Sequence, residues 1–137
     1  MPSPPLIGLR FVKVPVTNIE LAREWYGKVF GFTPTIEFTD RDGVVNGVHG
    51  ELPGIGDVLA LREDAEAARG LGAFAIANFG VADRGVLEEW VSHLDGLGVA
   101  HNSIVDTPRL SVLIVHNPDG QEIHLYTPLR ELPAPRT

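Results

Sequence analysis

The stretch "FVKVPVTNIELAREWYGKVFGF" (residues 11–32) decides the fold, because the chain repeats its plan at residues 76–97, in "IANFGVADRGVLEEWVSHLDGL". Each copy predicts a strand, an Asn or Asp suited to cap a helix, about eleven helical residues and then a glycine. The matched positions are Val16 and Val81, Asn18 and Asp83, Trp25 and Trp90, and Gly31 and Gly96. The repeat therefore predicts two copies of one structural module.

Both predicted helices carry a single apolar face. Its members recur at helical spacing: Ala22, Trp25, Tyr26 and Val29 in the first copy, and Leu87, Trp90, Val91 and Leu94 in the second. A tryptophan in this stripe is either a platform for a ligand or an anchor that holds the helix onto a sheet, and its apolar neighbours favour the anchor. In the first copy Thr17 and Glu20 also have the spacing of a capping box.

The similarity returns at the end of each copy, where "GDVLAL" (56–61) matches "GQEIHL" (120–125). Between helix and last strand there is room for two more strands, at about 33–39 and 44–52 in the first copy and about 100–106 and 110–116 in the second. Each module thus reads β-α-β-β-β, and the fold class is α+β. Two open sheets, each covered by a helix on one face only, would leave a cup between them.

Composition limits the classes of function. The 137 residues fit one domain, with modules at about 9–62 and 74–128 and tails at 1–8 and 129–137. The absence of cysteine excludes disulfides and thiolate metal sites. The net charge of −7 without a basic stripe argues against a nucleic-acid partner. No apolar run of about 18 residues and no secretory signal are present, so we expect no membrane partner and a cytoplasmic location.

The doubled plan resembles the vicinal oxygen chelate superfamily, which includes glyoxalase I, extradiol dioxygenases and bleomycin-resistance proteins. The stretches that carry the resemblance are "VPVTNIELAREWYGKVFGF" (14–32), "FGVADRGVLEEWVSHLDGLGV" (79–99) and "NPDGQEIHLYTP" (117–128). It implies the glyoxalase/bleomycin resistance fold, in which two βαβββ modules form curved mixed sheets around a cup. It also implies a homodimer, because members of this family often pair their modules across two chains.

Metal-using members of this family hold a divalent ion with His and Glu side chains from the first and last strands of each module. The resemblance places those positions at Phe11, Ala60, Ile76 and His124. Only His124 can coordinate a metal, whereas catalytic metal sites generally need about three protein ligands. The sequence therefore predicts that the usual metal site is absent and that no cofactor is held.

A relocated divalent metal site stays open as an alternative. It would use His49, His124 and Glu122. It requires His49 to lie across from Ala60 in a hairpin centred on "PGIG" (53–56), a register that sequence alone does not fix.

Alternation along the predicted strands indicates which residues face the cup. One parity is mixed and should line the cup: Phe11, Lys13, Pro15, Val58, Ala60, Arg62, Ile76, Asn78, Glu122, His124 and Tyr126. The other is apolar and should lie under the helices: Val12, Val14, Leu59, Leu61, Ala77, Phe79, Ile123 and Leu125. Such a lining suits a small organic molecule, with Lys13, Asn78 and His124 fixing its orientation. Alternatively, Lys13 extends to solvent at the edge of the cup.

Three functions follow from these residues. The first, which the missing metal ligands favour, is a binder of a small organic molecule similar to the drug-sequestering branch of the family. The second is a metal-independent lyase or isomerase in which the imidazole of His124 acts as general acid or base. The third is a divalent-metal enzyme of lyase or dioxygenase type with relocated ligands. Whether the protein is an enzyme stays open, since His124 could simply hydrogen-bond Glu122 or Tyr126 with no ligand.

Overall fold

The computed structural model describes residues 2–131, so Met1 and residues 132–137 of the predicted C-terminal tail lie outside the described residues. The first half forms β1 (Val12–Val16), α1 (Ile19–Phe30), β2 (Thr33–Thr39), β3 (Val45–Leu52) and β4 (Gly56–Glu63). A short helix, α2 (Ala65–Leu71), leads to the second half. That half forms β5 (Ala77–Gly80), α3 (Arg84–Leu97), β6 (Val105–Asp106), β7 (Ser111–His116) and β8 (Glu122–Tyr126).

The two halves build two mixed four-stranded sheets of the same topology. The strand orders are β1-β4-β3-β2 and β5-β8-β7-β6, with the first pair of each sheet parallel and the other pairs antiparallel. The doubled β-α-β-β-β plan and the α+β class are therefore confirmed. The sixth strand is shorter than predicted, because residues 100–104 reach β7 only through an isolated bridge between His101 and Val115.

The apolar parity predicted to lie under the helices forms the core. Val14, Leu59, Leu61, Ala77, Ile123 and Leu125 are buried, and Val12 and Phe79 pack against them at the margin. Tyr26 and Leu87 are the fully buried anchors of α1 and α3, whereas Trp25 and Trp90 are only half-buried. The helices thus attach to the sheets as predicted, with the tryptophans at the edge of the contact.

The helix caps agree with the sequence except at two positions. The side chains of Asn18 and Asp83 accept hydrogen bonds from the backbone N–H groups of Leu21 and Val86, as N-caps do. Thr17 does not form a capping box, because its hydroxyl and its N–H donate to the carboxylate of Asp119. Helix α3 continues through Gly96 and is capped by Gly98, whose φ of 69° is the left-handed cap conformation.

Helix α2 was not predicted. Its first turn is capped by Asp64, whose side chain accepts from the N–H of Ala67, and the following "AEAA" has high helix propensity. Seven residues are too few to show an amphipathic period, and Ala68 is the one buried residue of the helix. The helix nevertheless packs against β1, the edge strand of the first sheet.

The two modules meet at α1 and at the turn between β7 and β8. Asn117 in that turn donates its amide N–H to the hydroxyl of Tyr26 at 3.2 Å, and Gln121 donates to the carbonyl oxygen of Pro15 at 2.9 Å. Burial raises the pKa of Tyr26 to about 12, so its hydroxyl stays neutral. Phe30 completes the contact by packing on Phe79 and Trp90 of the second module.

None of the described helices is long and apolar enough to cross a membrane.

Replacing Gly50 in β3 by alanine should strongly destabilise the protein. A Cβ there would collide with the carbonyl oxygen of Thr33 and lie 2.8 Å from the Cα of Pro34, both backbone atoms of β2 that cannot give way cheaply. We expect a loss of about 3 kcal/mol in urea unfolding, as for severe overpacking. Gly96→Ala is the control, since nothing lies near its Cβ within α3, and it should add up to about 1 kcal/mol. Equal stabilities would contradict this reading of β3.

Stability should fall as the pH rises from about 6 to 8, in part through His101. Its ring nitrogens lie 2.8 Å from the carbonyl oxygen of Asn102 and 2.6 Å from Oδ1 of Asp95. These hydrogen bonds raise the pKa of His101, so its contribution is complete below the unfolded pKa and is lost as pH rises through the folded pKa. Urea unfolding across this range should show a shallower pH dependence in His101→Gln and in Asp95→Asn. An unchanged slope in both variants would refute the assignment.

Candidate functional site

A cavity of about 400 Å³ lies on the face of the first sheet that the helices leave uncovered. Two rows of residues run straight across the sheet beneath it. One row is Lys13, Ala60, His49 and Ile36, and the next is Pro15, Arg62, Gly47 and Phe38. His49 lies across from Ala60, the hairpin register that the sequence left open.

The cavity exists because each row contains one small residue between larger ones. Ala60 and Gly47 form its floor, while the side chains on either side of them stand up as walls. A Cβ on Gly47 would lie 3.7 Å from Cδ of Arg62 and 3.7 Å from Cβ of Phe38, so the two side chains approach across the missing methyl group. The alternation of small and large residues is therefore what hollows this sheet face.

The walls are mostly apolar and well exposed. Phe11, Ile36 and Phe38 retain 40%, 49% and 53% of their surface, although all three line the cavity. Large apolar side chains that gather around a concavity usually mark a place where something binds. These three side chains form the apolar wall of the site.

Three cationic residues, Arg10, Lys13 and Arg62, also line the cavity. No Asp or Glu is among the described residues that line it. None of the three cations forms an ion pair or a side-chain hydrogen bond with another described residue, whereas Arg23 and Arg84 are paired with carboxylates elsewhere. The cavity is therefore electropositive in a chain whose net charge is −7.

His49 is the polar side chain at the centre of the first row. It is largely buried, and the edge of Phe11 packs on its ring with a centroid distance of 4.9 Å. Its Nδ1 lies 3.1 Å from Oδ1 of Asp57, but the two groups are not aligned for a hydrogen bond, so neither ring nitrogen has a hydrogen-bond partner. A buried polar group without a partner is costly, typically by about 1–3 kcal/mol.

The polar residues predicted on β8 form a separate group on the second sheet. Nε2 of His124 lies 2.8 Å from Oε1 of Glu122, and Nδ1 lies 2.8 Å from the hydroxyl of Tyr126. With a neutral ring, Nε2–H donates to Glu122 and Nδ1 accepts from Tyr126. Both ring nitrogens thus have partners within the strand, as in the alternative in which His124 hydrogen-bonds its neighbours Glu122 and Tyr126.

The predicted site residues do not come together in one chain. Phe11, Lys13, Ala60 and Arg62 line the cavity, together with Arg10, Ile36, Phe38, Gly47 and His49. None of the second-module positions lines it: Ile76 packs against the core, Asn78 donates to the carbonyl oxygen of Ala75, and Glu122, His124 and Tyr126 bond to one another. The cup expected from both modules is therefore divided between two sheet faces.

The sequence did not predict that residues of β2 line the cavity. Strand β2 has irregular register at Pro34/Ile36 and at Phe38/Thr39, and these irregularities decide which of its residues face the cavity. Only the apolar, β-branched or aromatic character of Ile36 and Phe38 was visible in the sequence.

The residues present do not fit the metal site that the resemblance implies. Phe11, Ala60 and Ile76 offer no donor atom, and His124 already bonds Glu122 and Tyr126. The relocated set of His49, His124 and Glu122 is split between the two sheets. Within residues 2–131 no three His, Cys, Asp or Glu side chains are placed to hold an ion.

Comparison with known proteins shows the fold. No family model and no curated protein matches the chain. Among solved structures, it is similar to a glyoxylase/bleomycin resistance protein/dioxygenase domain from Frankia sp. EAN1pec, with a TM-score of 0.72, 22% identity and coverage of 93% of this chain and 95% of that one.

Two further structures show how varied the proteins with this fold are. TnmS3, an antibiotic binding protein from Streptomyces sp. CB03234, has a TM-score of 0.68 and 20% identity, with 90% and 97% of the chains covered. A lactoylglutathione lyase from Agrobacterium tumefaciens has a TM-score of 0.70 and 15% identity, with 91% and 96% covered. The chain therefore has the fold of the glyoxalase/bleomycin resistance protein/dioxygenase superfamily.

Proposed function

We propose that the protein is a member of this superfamily that binds a small organic molecule in the cavity of its first sheet, without the family's usual metal. The observation that carries the proposal is the cavity itself. Its volume of about 400 Å³ falls within the range of about 300–1,000 Å³ that is typical of small-molecule sites. Its mixture of an apolar wall with a few polar groups also matches such sites.

The apolar wall supplies the affinity. Phe11, Ile36 and Phe38 expose surface that a bound molecule would remove from water, at roughly 25 cal/mol for each Å² buried. Both ring nitrogens of His49 are shielded from solvent, so polar contacts to a ligand fall to the exposed side chains of Lys13 and Arg62. Affinity and orientation thus come from different side chains of the same cavity.

The geometry of His124 favours a binding function over a function in which His124 acts as general acid or base. A general base needs a ring nitrogen free to meet the substrate, and both nitrogens of His124 are engaged by Glu122 and Tyr126. TnmS3, which has the same fold, is described as an antibiotic binding protein. That likeness supports a binding role for this chain on the ground of fold alone.

We further propose that the protein is a homodimer in which the second sheet of one copy covers the cavity of the other. The cavity is lined only by residues of the first module, and its apolar wall is open to solvent. On the second sheet, Val112 and Ile114 lie half-buried on the face opposite the core residues Leu113 and Val115. Two uncovered sheet faces, each with apolar side chains among polar ones, would cover each other across a two-fold axis.

Filling the cavity floor should weaken binding in steps. The neutral fluorophore N-phenyl-1-naphthylamine is a suitable probe, since its fluorescence rises in apolar surroundings. Gly47→Ala and Gly47→Val add side-chain volume where a Cβ meets only ordinary contacts, so the fold should survive. We expect the Kd to rise about threefold and about tenfold, respectively. Gly70→Ala on α2, where a Cβ meets nothing within 4 Å, is the matched control and should leave the Kd unchanged. The proposal fails if the probe does not bind or ignores both Gly47 variants.

The dimer should be visible in solution. Sedimentation velocity of the wild-type chain should give about twice the mass of 14.8 kDa. Ile114→Glu places a charge on the second sheet's uncovered face and should shift the population to monomers. Leu21→Glu, at a leucine of α1 that is half exposed on another surface, should remain dimeric. A monomeric wild-type protein at micromolar concentration would exclude the shared cup.

A further inference from the structure

We propose that the ligand is an organic anion: an apolar body that carries a carboxylate, sulfonate or phosphonate group. The proposal rests on the function proposed above and names the chemical class that the first-sheet cavity selects. It follows from the placement of Arg10, Lys13 and Arg62; strand alternation predicted Lys13 and Arg62 on the cup face but not Arg10.

Two of the cations flank the cavity floor. Lys13 stands beside Ala60 at one end of the first row, and Arg62 lies beside Gly47 in the second row. The stem of Arg62 crosses the floor, since its Cδ is 3.7 Å from where a Cβ of Gly47 would stand. Arg10 adds a third positive charge just before β1. An anionic group that enters beside the floor would therefore meet positive charge from two adjacent rows.

The three cations differ from most of the other basic residues that the structure describes in having no partner. Arg23, Lys28 and Arg84 form ion pairs, and Arg109 and Arg130 donate to backbone carbonyl oxygens. Arg41 and Arg69 also have no such partner, but they lie in a turn and on α2 and do not line this cavity. Unpartnered guanidinium and ammonium groups around a hollow retain their full capacity to bind a carboxylate or a similar oxyanion.

The electrostatic contrast with the rest of the molecule points the same way. A protein of net charge −7 repels anions in general, so a local group of three cations without a lining carboxylate creates one site of opposite sign. The carboxylate of Asp57, whose Oδ1 lies 3.1 Å from Nδ1 of His49, is outside the cavity lining. The apolar wall excludes small inorganic anions as preferred ligands, because they would leave Phe11, Ile36 and Phe38 uncovered.

A pair of probes isolates the charge. 8-Anilinonaphthalene-1-sulfonate and N-phenyl-1-naphthylamine share the same rings and differ by the sulfonate group. We expect the wild-type protein to bind the sulfonate about tenfold more tightly. Lys13→Met and Arg62→Met, which retain a long apolar stem, should each weaken sulfonate binding about tenfold and change binding of the neutral probe less than about twofold. Arg69→Met, on α2, is the matched control and should change neither.

Salt dependence provides a second readout. Raising the salt concentration should weaken binding of the sulfonate and leave the neutral probe unaffected, and Lys13→Met with Arg62→Met should remove most of that dependence. Circular dichroism establishes that each variant is folded, which is expected because both side chains are exposed.

The outcomes separate this inference from the proposed function. If both probes bind equally, or if the two methionine variants retain the preference for the sulfonate, the anion proposal is overturned while the binding site stands. If the sulfonate binds but Gly47→Val does not weaken it, the probe is outside the cavity and the anion proposal is again overturned. If neither probe binds, the proposed function fails and the inference fails with it.

Discussion

Covering only one face of each sheet is the constraint on which the rest of this molecule depends. A strand sends alternate side chains to opposite faces, and each module has one long helix, which can bury only one of them. The faces packed under α1 and α3 are accordingly apolar and closed, with Leu59 and Leu125 essentially inaccessible. The opposite faces contribute little to the core, so they are free to be hollow, charged or both.

The contact between the modules preserves this freedom. It consists of the hydroxyl of Tyr26 with Asn117, the side chain of Gln121 with Pro15, and the ring of Phe30 with Phe79 and Trp90. None of these groups lines the cavity. The contact between the modules and the lining of the cavity therefore use different residues, and the unpaired cations and the unpartnered His49 lie outside that contact.

Those features that depend on local pattern could be predicted from the sequence. The repeat predicted the topology and strand alternation predicted the core, whereas the pairing of His49 with Ala60 depended on a hairpin register that the sequence left open. What failed depends on geometry between elements. The positions of Ile36 and Phe38 follow from two irregularities in β2, which no alternation reveals. The division of the cup follows from how the two modules meet. His124 lies on the predicted strand, but that strand belongs to the second sheet, and both of its ring nitrogens bond Glu122 and Tyr126.

The glycine on the cavity floor, Gly47, has a consequence for how the cavity can evolve. A single base change converts a glycine codon into one for alanine, and the added Cβ at Gly47 meets only ordinary van der Waals contacts. The depth of the cavity can therefore change by one methyl group without a clash in the sheet. Under the proposed function, the size of molecule that fits the cavity can change in one mutational step while the fold is kept, and the same fold is carried by proteins as different as an antibiotic binder and a lyase.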